Sequence, residues 1–206
     1  MAINDNDIRV RRTKKLLRKG VAELGKTKSV NKITVKELTD LVEINRGTFY
    51  LHYKDVYDLV DSIEDELCEE FDQKVLGITP DDILFRPVDV LESFFEYFRV
   101  NKDIFNVLTG ENGDAKFVYR FGELMNVKIL ELFNKIFPNM SMEKYDFAYN
   151  YGKFGYVGVL HCWATKYPHL SSREIAEKTL SLNLGGLWGI LGDEGKEVLL
   201  NAHNSH

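Results

Sequence analysis

The residues from Ile33 to Lys54 limit what this chain can fold into more than any other stretch. Thr34 followed by Glu37 has the spacing of a capping box, in which hydroxyl and carboxylate each satisfy a free amide at a helix start. A first short helix is predicted over 35–42. Asn45 is placed to cap a second, and Val35, Leu38, Leu41 and Ile44 recur at the three-residue spacing that faces a partner helix. Phe49 fills the angle between the two helices.

That leaves Arg46, Gly47, Thr48, Tyr50, Leu51, His52, Tyr53 and Lys54 pointing outward from the second helix. Arg grips guanine edges with two parallel donors, while Thr, Tyr, His and Lys hydrogen-bond or neutralise phosphate oxygens beside the groove. Helix-turn-helix proteins place the start of the second helix, here Arg46 and Thr48, in the major groove. The same residues also fit an αα-hairpin with a solvated polar face.

The run Thr-x-x-Glu-Leu, then Asn-Arg-Gly-Thr-Phe-Tyr-x-His-Tyr-x-Asp, resembles the DNA-binding region of the TetR/AcrR family of bacterial transcriptional regulators. The resemblance covers residues 7–60 and is strongest from Arg46 to Asp55. It implies that Arg46 and Thr48 meet bases or adjacent backbone and that Thr34, Tyr50, His52 and Lys54 hold phosphates, with Gly47 and Tyr53 also in the DNA-binding set. Glu43 stands where many members have Gly, and Val56 where many have Lys. A non-Gly residue in a left-handed turn costs about 1 kcal/mol, which predicts a turn of different shape here. Without the later Lys, Lys54 becomes the expected phosphate anchor.

The 206 residues suffice for a small domain joined to a larger one. The prolines, at 80, 87, 138 and 168, fall between apolar-periodic segments, and no strand-like alternation of any length occurs. The class is all-α: a three-helix helix-turn-helix domain over 1–54, a linking helix over 55–78, and a helical ligand-binding and dimerisation domain over 79–206. The net charge of −5 is unevenly spread. Residues 1–54 hold 13 Lys and Arg against six Asp and Glu, a net of +7, and the remainder carries −12. A basic first quarter on an acidic body confines any nucleic-acid footprint to one end and steers docking through it.

Cys68 and Cys162 sit in apolar helical patterns without metal spacing and read as reduced thiols. The N-terminus lacks the apolar core of a signal peptide, and no run of 18 apolar residues exists. The expectation is a cytoplasmic protein without a membrane span.

The first helix is predicted over 7–25, with Leu16, Leu17, Val21 and Leu24 buried. Arg9, Arg11, Arg12, Lys14, Lys15, Arg18 and Lys19 then load its exposed side, and 26–32 forms a polar connector. The helix starting at Asp55 carries Val56, Leu59, Val60, Ile63, Leu67 and Phe71 at helical intervals. Its nine acidic residues up to Asp72, with no basic one, read as a solvated outer face. Residues 79–87 break the pattern and mark a domain boundary.

Beyond Val88 the helices are rich in aromatics. Leu91, Phe94, Phe95 and Phe98 form one stripe, and Ile104, Phe105 and Leu108 another. Residues 101–117 resemble a segment of one subgroup of the family's C-terminal domains. A helix over 114–137 is apolar on more than one side, which predicts a buried, central position. Two further helices are predicted over 142–166 and 172–191, the last opened by a Ser171–Glu174 capping box. Gly152, Gly155 and Gly158 in one, and Gly185, Gly186 and Gly189 in the other, each cost up to about 1 kcal/mol relative to Ala and imply close backbone packing. The family dimerises through its last two long helices. A homodimer interface is therefore expected at Gly155, Gly158, Leu180, Leu184, Gly185, Leu187, Trp188 and Gly189. Phe94, Phe98, Tyr119, Tyr149, Tyr156, His161 and Trp163 are candidates for a small-molecule pocket, since they combine apolar walls with polar tips. Most such positions also serve as core.

Residues 189–196 miss the spacing of a phosphate loop, and Glu197 replaces its Ser/Thr. His161 and Cys162 are adjacent rather than one turn apart and cannot present two ligands on one helical face. No catalytic set, cofactor or metal site is expected. The resemblance implies a homodimeric transcriptional regulator, by default a repressor released by a small-molecule effector, that binds double-stranded DNA at a near-palindromic operator; activation and operation with a co-regulator stay open. The other class it admits is a helical sensing or co-regulator scaffold acting through protein partners.

Overall fold

A computed structural model describes residues 8–110, 113 and 115–183. All regular structure among them is helical: α1 (Ile8–Leu24), a 3-10 turn (Val30–Lys32), α2 (Val35–Leu41), α3 (Arg46–Tyr50), α4 (Val56–Leu76), α5 (Pro80–Phe85), α6 (Pro87–Val100), α7 (Lys102–Thr109), α8 (Ala115–Ile136) and α9 (Met142–Lys166). A tenth helix, α10, is described over 172–183. No helix among the described residues is long and apolar enough to cross a membrane.

Contacts gather the chain into two compact units. One holds the residues up to Asp72 together with Asn101–Gly122; the other holds Gln73–Val100 and the residues from Glu123 onward. This grouping cuts across the linear partition into 1–54, 55–78 and 79–206. Residues 79–87 are not an irregular break. Most of them form α5 (Pro80–Phe85), opened by a capping box in which Asp82 N–H donates to Thr79 Oγ1 (3.2 Å) and Thr79 N–H to Asp82 Oδ2 (2.9 Å), and Pro87 already starts α6.

In the first unit, Leu17 and Val21 of α1, Leu38 of α2, Phe49 of α3, Leu59 and Leu67 of α4, Leu108 of α7 and Phe117 of α8 are buried. All six residues expected to form the α4 stripe are buried as well. Gly20 lets α1 approach α2, since a Cβ there would stand 2.6 Å from Leu38 Cδ1 and 2.7 Å from Val42 Cγ1. At Gly25 a Cβ would collide with the Val107 side chain of α7. Both neighbours are packed, so neither position has room for a side chain.

The acidic residues of α4 are not merely a solvated face. Glu66 pairs with Lys14 (4.0 Å) and Arg18 (3.8 Å), and Glu70 with Arg18 (3.7 Å). The Arg18 guanidinium also donates to Asn101 Oδ1 at 2.5 Å. Glu64 is buried and faces Arg120 of α8, whose Nη1 is 2.7 Å from Asp65 Oδ1. Two of the seven basic side chains expected to lie outward on α1, Lys14 and Arg18, are thus half-buried against carboxylates of α4.

The second unit has a core of Leu91, Phe95, Trp163, Ile175 and Ala176, with Tyr156, Leu160 and Leu180 packed against it. Phe95 meets Trp163 edge-on at 5.9 Å, and the indole N–H donates to Leu170 O at 2.9 Å. The predicted Ser171–Glu174 box is formed and starts α10. Helix α8 departs from the buried, central helix expected of it: Phe117 and Phe121 are buried, but Val118, Tyr119 and Val127 are exposed.

Candidate nucleic-acid interface

The helix pair is assembled from local hydrogen bonds that follow directly from residue type. Thr34 Oγ1 accepts from Glu37 N–H (3.2 Å), and the Glu37 carboxylate accepts from Thr34 N–H (3.0 Å) and from the Thr34 hydroxyl (2.8 Å). Lys28 adds a charge-assisted bond to Glu37 at 2.5 Å. Lys28 first, and then Thr34, hold the Glu37 carboxyl down at about 2. A depressed carboxyl stabilises the fold above its ordinary range, so this contribution is complete above about pH 4.5 and is lost as pH falls through about 2. Asn45 Oδ1 accepts from Gly47 N–H at 2.7 Å and caps α3.

Between the helices the chain turns at Glu43, whose φ is +56°. Ile44 N–H reaches back to Thr39 O at 3.1 Å, the six-to-one hydrogen bond of a Schellman motif. The turn therefore keeps the left-handed form usually given to glycine, and the different shape expected from Glu43 is not found. Buried Thr39 supports the last turn of α2 by donating to Val35 O at 2.8 Å.

Phe49 is fully buried, as its spacing required. Arg46, Gly47, Tyr50 and Lys54 are exposed, Thr48 and His52 half-buried, and Thr34 exposed at the mouth of α2. Tyr53 departs from the outward set. Its N–H donates to Phe49 O at 3.0 Å, which places it one helical turn after Phe49, and its ring is 7 % exposed and 5.9 Å from the Phe49 ring. It belongs to the core of the first unit. Lys54 N–H donates to Asp58, fixing the junction into α4 while its side chain stays exposed. Arg9, Arg11, Arg12, Lys15 and Lys19 of α1 are exposed as well. A cationic, donor-rich surface on a capped helix pair can bind a polyanion and hydrogen-bond to base edges.

The proposed pocket residues do not share one environment. Trp163 is core and Tyr156 packs beside it, its hydroxyl accepting from Asn183 Nδ2 at 2.8 Å. Phe94 and Phe98 are half-buried on α6. Tyr149 is half-buried and stacks on Tyr145 at 5.8 Å, while His161 is exposed. Tyr119 is 71 % exposed and belongs to the other unit, so it does not line the interior expected of it. Of the interface residues, Gly155 and Gly158 are exposed with open space where a Cβ would stand, and Leu180 is half-buried. Among the described residues, none supplies the close packing expected to compensate these two glycines. Leu184, Gly185, Leu187, Trp188 and Gly189 lie outside the described residues.

Residues 86–184 match the TetR-type family model for the C-terminal region of transcriptional regulators. Over this span the chain is similar to the C-terminal region of TetR-type transcriptional regulators. Solved TetR-family structures share its fold. A TetR-family regulator from Streptomyces coelicolor aligns over 99 % of this chain and 90 % of its own, with a TM-score of 0.67 and 12 % identity. An AcrR-family regulator from Aquifex aeolicus VF5 aligns over 82 % and 98 %, at 0.60 and 18 % identity. FadR of Thermus thermophilus, a TetR-family repressor in complex with lauroyl-CoA, aligns over 84 % and 94 %, at 0.50 and 19 % identity. Comparison with curated protein sequences gives no match.

The left-handed turn survives a Glu because the Ile44–Thr39 hydrogen bond holds it. The angle between α2 and α3 fixes which residues face outward, and the backbone keeps that angle against the side chain's preference. Replacing Glu43 with Gly removes left-handed strain of about 1–2 kcal/mol, offset by the greater freedom of Gly in the unfolded chain. Glu43→Gly is expected to stabilise the protein by about 0.5–1 kcal/mol in chemical denaturation. A destabilised variant would show that the Glu43 side chain contributes something the turn geometry does not require.

Proposed function

We propose that this transcriptional regulator is a homodimer that binds a near-palindromic operator in double-stranded DNA through α2 and α3, represses from it, and is released by a small organic effector. The observation that carries the DNA reading is the geometry of the helix pair. Capped ends, a left-handed turn and the buried Phe49 present Arg46, Thr48, Tyr50 and Lys54 on a basic segment of an otherwise acidic chain. Arg46 and Thr48 meet base edges or adjacent backbone, and Thr34, Tyr50, His52 and Lys54 hold phosphates. The protein acts in the cytoplasm, and its action is binding rather than catalysis.

On this reading Arg46→Ala costs about 1–3 kcal/mol on the selected site and relaxes base preference, because a two-donor grip on a base edge is lost. Lys54→Ala weakens all duplexes alike and shallows the salt dependence by about one unit of slope. Binding measured across a salt series on the duplex chosen from a random library separates the two. A wild-type protein that prefers no duplex overturns the reading in favour of a scaffold acting through protein partners.

The homodimer is supported by one face of α9. Phe147, Tyr151, Phe154 and Val157 are each more than half exposed, beside the open backbone of Gly155 and Gly158. A large apolar surface rimmed by polar residues is the usual mark of an interface. Two-fold symmetry of the protein then demands two half-sites in the operator. Phe154 is 70 % exposed, so Phe154→Asp leaves the folded chain intact. It is expected to turn the dimer into a monomer in sedimentation and to weaken binding to the full operator while sparing a single half-site. A variant that remains dimeric moves the interface elsewhere.

The effector reading rests on the half-buried aromatics of the second unit, Phe94, Phe98, Tyr149 and Tyr156, and on the lauroyl-CoA held by the Thermus relative. An effector weakens DNA binding only by preferring a dimer whose two reading helices no longer match the half-sites, typically by about 1–3 kcal/mol of coupling. Operator must then weaken effector binding by the same factor. Thermal-shift screening of metabolites, followed by titration of each hit with and without operator, tests this. Hits indifferent to operator rule out effector control.

A further inference from the structure

The outermost residue of α3 is one to which neither the sequence motif nor the family resemblance gives a role. Phe49 is fully buried and Tyr53 nearly so, and these two side chains define the inward direction of the helix. The helical hydrogen bonds run on through this region, with Leu51 N–H donating to Gly47 O at 3.2 Å and Tyr53 N–H to Phe49 O at 3.0 Å. Leu51 has helical dihedrals, φ −71° and ψ −23°. At about 100° per residue, Gly47 and Leu51 each lie about 160° from Phe49, one turn apart on the outermost line of the helix. Thr48 and Tyr50 fall on its two flanks.

Gly47 contributes no side chain to that line. A Cβ there would come within 3.2 Å of Asn45 Oδ1, the atom that caps the Gly47 amide. Leu51 is therefore the side chain projecting furthest along it, and it is 67 % exposed. It has no donor or acceptor. Pressed against the polar edge of guanine, adenine or cytosine it strips water from groups it cannot satisfy. The one apolar group on the major-groove edges is the C5-methyl of thymine.

We propose that Leu51 is a specificity-determining residue that reads a thymine in each half-site by packing its isobutyl group against the C5-methyl. The assignment rests on the DNA-binding reading above and adds to it a base preference made by shape and desolvation rather than by hydrogen bonds. Arg46 and Thr48 supply the polar part of the code near the start of the helix, and Leu51 supplies an apolar position one turn later.

The test uses the full chain and the duplex it selects from a random library. Each thymine is replaced in turn by deoxyuridine, which removes the methyl and leaves every hydrogen-bonding group in place. One thymine per half-site is expected to show a loss of about fourfold in affinity for the wild-type protein, the value of burying about one methyl group. In Leu51→Ala, whose melting temperature is expected to be unchanged because Leu51 is exposed, the same replacement has no effect, and library selection loses its thymine at that position alone. The inference is overturned if no thymine methyl affects wild-type binding, or if the sensitive methyl remains equally sensitive in Leu51→Ala. Failure to select any duplex overturns the DNA-binding reading itself. Selection without methyl sensitivity overturns only the role of Leu51.

Discussion

Burial of Phe49 between α2 and α3 is the interaction from which the rest of the helix pair follows. A fully buried Phe is worth about 1.5–3 kcal/mol. Its larger consequence is directional: once that ring points inward, helical geometry assigns every other residue of α3 an orientation. Tyr53 is drawn inward one turn later, and Arg46, Gly47, Tyr50 and Leu51 are left in solvent. The caps at Thr34 and Asn45 hold the helix starts, and the left-handed Glu43 holds the angle, so Phe49 can seat in only one way.

Charge in the first unit is organised by the same economy of space. Helix α1 must lie close to α2, which Gly20 permits, and this brings its opposite side toward α4. Lys14 and Arg18 then meet Glu66 and Glu70, and Arg18 also binds Asn101 at the start of α7. The basic segment is thus divided in two: part neutralises a neighbouring helix, and Arg11, Arg12, Lys15 and Lys19 stay in solvent. Solvent-accessible pairs of this kind, even half-buried, stabilise weakly one at a time, about 0–1 kcal/mol each. Their effect here is to fix which cations remain on the surface.

Features determined by residues close in sequence were legible before the structure. Thr34 and Glu37, Asn45, Ser171 and Glu174, and the span Met142–Lys166 are set by caps and periodicity, and the structure has them where the sequence placed them. Features determined by distant partners were not. Nothing local reveals that Lys14 and Arg18 face Glu66, that Glu64 is buried beside Arg120, or that Tyr119 is exposed. Tyr53 is an intermediate case, because its spacing of four from Phe49 carried the signal and the polar character of the neighbouring residues obscured it. Glu43 was misread because its own preference was weighed without the Thr39–Ile44 hydrogen bond that overrides it. The division into units was hidden in the same way, since α7 and the start of α8 join helices that precede them by many residues.

The glycines of α9 bear on how stable the chain is when alone. Gly155 and Gly158 weaken the helix by about 1 kcal/mol each relative to Ala, and among the described residues no neighbouring side chain stands within 4 Å of where their Cβ would be. The longest helix among the described residues thus carries two of its glycines in its C-terminal half. Its integrity becomes a matter of mass action, because any surface that covers this face binds the folded form alone and adds its binding free energy to folding. If a second copy is that surface, the melting temperature rises with protein concentration, and dilution alone loosens the helix.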